Sequence, residues 1–216
     1  MDVTGRLPRS AGDERRDEIL AAAVDVFGES GFAGARIDEV ARRVGLRRPG
    51  VLYHFPDKAT LYLAALENVV EDITARIEGL DLEADQPLEA IADTWIDFVI
   101  ERANAARLLL REMIDEGSVS IGPVRSSVLR LMSVIEEAIT QELGPEAAKS
   151  LDATEFALML ASTSLVWVAS RNAVEGAFGI DTLSDAAVAR HRRTLRALTR
   201  QLLAASLLPE SGTHTD

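Results

Sequence analysis

Apolar residues recur at helical spacing along almost the whole chain. Between Asp13 and Glu29, Ile19, Ala23, Val26 and Phe27 share one face, Asp13 and Glu14 suit the positive N-terminal end of a helix, and Gly31 is placed to stop it. A short second helix is predicted over Ile37 to Val44, with Ile37, Val40, Ala41 and Val44 on one side. Gly45 then stands where a tight turn needs a positive φ. A third helix is expected to start near Arg47 or Arg48, to tolerate Pro49 in its first turn, and to end near Phe55, ahead of Pro56. Asp57 is suited to cap a fourth helix over Lys58 to Glu78.

The pattern continues in longer segments. Pro87 opens a helix that reaches Asn104, and a shorter one covers Ala105 to Met113. Residues 115–122 read as a loop, and Pro123 opens a helix that stops at Gly144. The most apolar helix is expected over Asp152 to Ala177, and the last over Ser184 to Leu208, with Thr182 and Asp185 at capping-box spacing. No long period-two alternation appears, so the fold class is all-α. Residues 1–12 and 209–216 read as a flexible arm and a disordered tail.

Composition narrows the setting. The chain has 216 residues, 47% of them hydrophobic, enough for a sizeable core. It holds no cysteine, which removes disulfides and thiolate metal sites. No apolar run approaches the roughly 20 residues that span a bilayer, and Met1 to Gly12 lack a signal-like apolar stretch, so a cytoplasmic location is expected. The net charge of −12 argues against nucleic-acid binding only until its distribution is read. Residues 1–58 carry 10 of the 23 basic and 10 of the 35 acidic residues, so they are neutral and the remainder holds the whole excess. Within 36–58, Arg36, Arg42, Arg43, Arg47, Arg48 and Lys58 outnumber Asp38, Glu39 and Asp57. A locally basic patch binds phosphate while an acidic body limits indiscriminate DNA coating.

The segment 36–55 has the dimensions of a helix-turn-helix: two short helices joined through Gly45-Leu46. Such a unit needs an apolar brace, here Val40, Ala41, Val44, Leu46 and Val51. It also needs a second helix with a polar face that fits the major groove, here Arg47, Arg48, Gly50, Tyr53 and His54. Enzyme readings are weak. His54, His191 and His214 lack metal-ligand spacing, and Gly28, Gly31 and Gly34 follow a helix where a dinucleotide-binding turn follows a strand. No catalytic residue, metal or cofactor is expected. A helical enzyme or partner-binding module with a fortuitous motif is the rival reading.

The run Ile37-Asp38-Glu39-Val40-Ala41-Arg42-Arg43-Val44-Gly45-Leu46 resembles the first motif helix and turn of the TetR family of transcriptional regulators. Pro49-Gly50-Val51-Leu52-Tyr53-His54-Phe55-Pro56-Asp57-Lys58 through Leu61 resembles its recognition helix and the junction that follows, and Ile19 to Phe32 its first helix. The resemblance covers residues 13–66. Two positions depart from it: Ala35-Arg36 stand where a Ser or Thr usually caps the motif helix, and Leu52 replaces a frequent Tyr, with Tyr53 beside it.

The resemblance implies a helix-turn-helix domain over 1–58, an effector-binding and dimerisation domain over 59–208, and a homodimer that binds a palindromic operator as a ligand-responsive repressor. The same fold acting as an activator, or without an effector, is the alternative. Arg36, Arg47, Arg48, Gly50, Tyr53, His54 and Lys58 are the expected DNA contacts. Trp95, Phe98, Met113, Met132, Met159 and Trp167 are bulky adaptable residues expected to line a cavity for a small apolar or aromatic effector, with Thr163, Asn172 or Arg111 as polar anchors. Ala161, Ala169, Leu195, Leu198 and Leu202 are the expected dimer contacts, on two helices that would form a four-helix interface.

Overall fold

The structure is a computed structural model that describes residues 11–114 and 124–207. The described residues form ten α-helices and a 3-10 turn. The first, α1 (Ala11–Gly34), buries Ile19, Ala23, Val26 and Phe27 and breaks at Gly31, whose φ of 68° a side-chain-bearing residue rarely adopts. Ala11 and Gly12, expected in the arm, are therefore helical; the remainder of the arm, the tail over 209–216, the loop over 115–122 and the helix start at Pro123 lie outside the described residues.

Helices α2 (Ile37–Arg43) and α3 (Arg48–His54) follow. Between them the amide of Gly45 donates to the Arg42 carbonyl at 3.3 Å and that of Leu46 to the Ala41 carbonyl at 2.8 Å. These paired bonds satisfy the last carbonyls of α2 and put Gly45 in the left-handed region, at φ 67°. Helix α4 (Lys58–Glu78) begins on Asp57, whose carboxylate accepts the Thr60 amide at 2.7 Å.

The body comprises α5 (Pro87–Glu101), α6 (Ala103–Ile114), α7 (Arg125–Ala147), a 3-10 turn over Ala148–Ser150, α8 (Ala153–Ala169), α9 (Arg171–Phe178) and α10 (Asp185–Ser206). Two expectations need correcting. The segment 152–177 is two helices, because the chain turns at Ser170, which carries a bridge-region backbone and starts α9. Thr182 does not cap the last helix. Ser184 takes that position, while Thr182 is fully buried and its carbonyl accepts the Trp167 indole N–H at 3.1 Å.

Packing ties the N-terminal unit to the body. Helix α1 lies against α4 and, most extensively, α6; α6 in turn packs on α8, and α4 on α7. The approach of α1 to α6 is so close that a Cβ at Gly28 would fall 2.2 Å from the Asn104 carbonyl oxygen. At the other edge α10 is laid along α5 by Arg192, Arg196 and Arg200, one per helical turn, which pair with Asp97, Asp93 and Glu89. One buried apolar cluster runs from Ile19 through to Leu195. No single helix among the described residues is long and apolar enough to cross a membrane.

Candidate DNA-reading face and apolar cavity

The brace of the helix-turn-helix is assembled as its residue types require: Val40, Ala41, Val51 and Phe55 are buried, and Leu46 and Val44 pack against them. Full burial of Val40, Val51 and Phe55 contributes roughly 1.5–3 kcal/mol each, which fixes α3 on α2 despite its seven residues. Opposite the brace, Arg47 and Arg48 are exposed, Tyr53 is 87% exposed, and Gly50 and His54 are half-buried. The His54 ring meets Tyr53 edge-on at 5.2 Å. A methyl at Gly50 would make only ordinary contact with Leu46, so the small residue keeps the helix surface low and is not forced by the fold.

The positive charges divide into committed and uncommitted sets. Glu39 accepts from Arg42 at 2.7 Å and Arg43 at 3.0 Å, and these two guanidiniums hold its carboxyl down at about 2. Arg43 also pairs with Glu29 on α1 at 2.6 Å. Arg48 sits 3.4 Å from Asp38, with both side chains more than half exposed. Arg36 is exposed at the start of α2, where its side chain makes no cap, and neither it nor Arg47 has an ion pair among the described residues. The Lys58 ammonium donates to the Ala33 carbonyl at 3.2 Å and lies over the Phe32 ring, so it closes the end of α1 before it reaches outward. The local excess of basic residues thus overstates the free charge, since pairing in three dimensions is not visible in a residue count.

The second site is a cavity of about 580 Å³ in the body. Helix α4 supplies Leu66, Val70, Ile73 and Ile77, and α5 supplies Ile91 and Trp95. From α6 come Leu109, Glu112 and Met113, and from α8 Ala157, Leu160, Ala161 and Leu165. Val124, just ahead of α7, and Arg125, Val128, Leu129, Leu131 and Ile135 on it complete the wall. Only Glu112 and Arg125 carry charge, and Glu112 accepts the Tyr62 hydroxyl at 2.8 Å.

Of the six residues expected to line a cavity, Trp95 and Met113 do so. Phe98 is fully buried and lies outside the wall, its ring 5.4 and 6.0 Å from the guanidiniums of Arg76 and Arg102. Met132 and Met159 are half-buried away from the wall. Trp167 stacks on His191, ring centroids 4.6 Å apart. The proposed anchors face elsewhere as well: Arg111 reaches the Gly28 carbonyl at 3.4 Å, Thr163 bonds back to Met159, and Asn172 is exposed on α9. Aliphatic residues form most of the wall, and single residues of that kind carry no signal that separates wall from core.

The expected dimer contacts also divide. Leu195 is fully buried against the chain's own core, so it has no surface for a partner, and Ala161 lines the cavity. Leu198, Leu202 and Ala169 are half-buried. The exposed apolar stripe on α8 is instead Leu158 and Val166, 49% and 51% exposed, and α10 exposes Ala197, Gln201 and Ala204 on the side away from α5.

A braced helix-turn-helix set at one end of an all-helical body defines a helix-turn-helix regulatory protein. The model for bacterial regulatory proteins of the tetR family matches residues 19–65, and the chain belongs to that family. It is 31% identical over 149 residues to the transcriptional activator FasR of Mycolicibacterium smegmatis, a match that spans 67% of this chain and 66% of that protein. Among solved structures, a tetR-family regulator from Streptomyces coelicolor superposes with a TM-score of 0.57 at 26% identity, over 93% of this chain and 92% of that one. The fold is also that of the regulator FadR from Bacillus subtilis in complex with stearoyl-CoA, with a TM-score of 0.58 at 15% identity, over 92% and 99% of the two chains.

Proposed function

We propose that this chain is a dimeric, ligand-responsive transcriptional repressor. In this reading residues 1–58 hold the DNA-reading unit and 59–208 the sensing and dimerising body. Arg36, Arg47, Arg48, Gly50, Tyr53, His54 and Lys58 contact a palindromic operator, and a small apolar effector occupies the cavity. The observation that carries the reading is the exposed face of α3, with Arg47 free of ion pairs among the described residues and Tyr53 projecting, on a helix whose other face is fully anchored. Two such helices related by a two-fold axis read successive turns of the major groove. The exposed stripes of α8 and α10 offer small and apolar side chains for a four-helix contact between copies.

Helix α6 supports the response to ligand. It gives Leu109, Glu112 and Met113 to the cavity, while Asn104 and Arg111 are fastened to α1. Glu112 also holds Tyr62, whose ring meets Phe27 and Phe32 of α1 at 5.0 and 5.1 Å. A ligand that repositions α6 therefore repositions α1, and it acts only through its different affinity for the two arrangements. The test is binding of the full-length protein to its own upstream DNA across a salt series, repeated with candidate ligands. Affinity that falls steeply with salt and is lost on ligand addition supports repression with release. Affinity indifferent to salt or sequence overturns it.

FasR is named an activator, which favours a second reading in which bound protein assists transcription. A reporter driven by the bound promoter separates the two: deletion of the regulator raises expression under repression and lowers it under activation.

A further inference from the structure

The cavity has a direction. Its α4 stripe, Leu66 to Ile77, and its α7 side, Val124 to Ile135, each span eleven residue steps, so each wall is about 16 Å long. Both repeat at i, i+4, i+7 and i+11, which puts an unbroken aliphatic rail on each side of the space. Every liner on α4 and α5 is buried, as are Leu160 and Leu165. The exposed liners gather at one end: Met113 at the close of α6, and Arg125, Val128 and Leu129 at the opening of α7. The slot is thus closed and aliphatic along its length and open beside one guanidinium that has no ion pair among the described residues.

The remaining charge, Glu112, is held by the Tyr62 hydroxyl and adjoins Met113, so both charged liners stand toward the open end and the depth of the slot is aliphatic. An elongated ligand with a negative end therefore enters tail first and leaves its head beside Arg125, where the first turn of α7 adds its own positive end. We infer that the effector is an unbranched alkyl chain bearing an anionic head, chain in the slot and head at Arg125. This rests on the cavity being the effector site, and it specifies the ligand class. A free carboxylate and a phosphate-bearing carrier thioester both satisfy the chemistry.

Calorimetry on the full-length protein, below micelle-forming concentrations, tests it. Octanoate, decanoate, dodecanoate and tetradecanoate should bind about fourfold more tightly for each added methylene, until the chain outgrows the slot. Dodecanoate should exceed dodecanol by about fivefold, and Arg125→Gln should erase that preference while the chain-length series survives. Dodecanoyl-CoA in parallel shows which source of the anion is preferred: tighter binding assigns the carrier thioester, weaker binding the free acid. The inference is overturned if dodecanol equals dodecanoate in the unmodified protein. Preference for dodecyltrimethylammonium overturns it too, as does tight binding of 2-naphthoate with no dependence on chain length.

Operator affinity measured in the same samples keeps the two claims apart. Alkyl anions that bind by these rules and leave operator affinity unchanged sink the repressor-with-release reading and keep the site. Operator release by another ligand, with no alkyl anion bound, does the reverse.

Discussion

The candidate DNA-reading end and the cavity are built on opposite plans. At the N-terminus, the proposed function rests on residues close in sequence. Arg47 and Tyr53 lie within seven positions of each other, and the turn that aims them is set by Gly45 and Leu46. In the body, the wall draws on five helices, and its liners lie up to 99 positions apart, from Leu66 to Leu165. Local placement makes the first site stiff and specifiable by a short motif. Long-range assembly makes the second sensitive to every helix that moves, which is what a sensor needs. The two meet at α6, whose residues 111 and 112 face α1 and the cavity respectively.

The sharpest way to break this division is to disable DNA binding from the body. Leu158→Asp with Val166→Asp places charges on the exposed stripe of α8, more than 90 residues from α3. Burying them unpaired between copies costs about 3–5 kcal/mol. The double variant should sediment as a monomer and bind the operator more than 100-fold more weakly, with its helical content intact. A dimer of unchanged affinity would place the interface elsewhere. Next in size is the change at the reading face itself. Arg47→Ala with Arg48→Ala should weaken operator binding and flatten the salt dependence by about 0.9 for each phosphate no longer neutralised, as gel shifts at several salt concentrations would record. The Arg48 share should be the smaller, since Asp38 already draws on its charge.

The same division explains what the sequence disclosed. The helix-turn-helix was legible because each requirement has a residue type that marks it: Gly at the positive φ, Pro in a first turn, aliphatics at period 3.6. Helix α4 emerges at its expected ends, Lys58 and Glu78, because Asp57 caps it and Gly79 follows it. The break at Ser170 carried no Gly or Pro, so α8 and α9 read as one helix. The cavity was legible as an apolar body with room for a ligand but not residue by residue. Trp167 and Met159 have the character of liners and sit elsewhere, whereas Val128, Leu131 and Ile135 look like core in any helix. What separates them is which side of α7 faces empty space, a property of the packing of α4, α5 and α8 against it. Likewise Leu195 carries the period of α10 but faces α5, because three arginines on α10 pair with α5 carboxylates and set the rotation.

A stability change tests the local plan directly. Gly45→Ala meets no neighbouring atom within 4 Å, so any loss comes from the backbone conformation alone. At φ 67° the left-handed region costs an alanine about 1–2 kcal/mol. Chemical denaturation should register that loss. Gly28→Ala supplies the contrast: its Cβ would strike the Asn104 backbone, so α1 must move from α6. That variant should alter ligand response as well as stability, while Gly45→Ala should leave the response intact.

The smallest expected effect lies at His191, in the body. Its ring stacks on Trp167 with an interplanar angle of 3°, its Nε2 is buried with no hydrogen-bond partner among the described residues, and burial pulls its pKa below the ordinary 6.5. The folded state therefore favours the neutral ring, and the unfolded chain takes up the proton first as pH falls. Above 6.5 the residue contributes no pH dependence. Between 6.5 and the lower folded value stability declines, and below the folded value the loss is constant. Since the ring is half-exposed, the loss should be only a fraction of that from Gly45→Ala. His191→Phe keeps an aromatic ring for the stack and removes the titration. The stability difference between the parent and this variant, followed from pH 8 to pH 5, should be flat above 6.5 and then shift against the parent. A flat difference across the whole range would mean that the ring is protonated as easily in the fold as in the unfolded chain. A shift in the parent's favour would require an acidic partner that the stacked geometry does not contain.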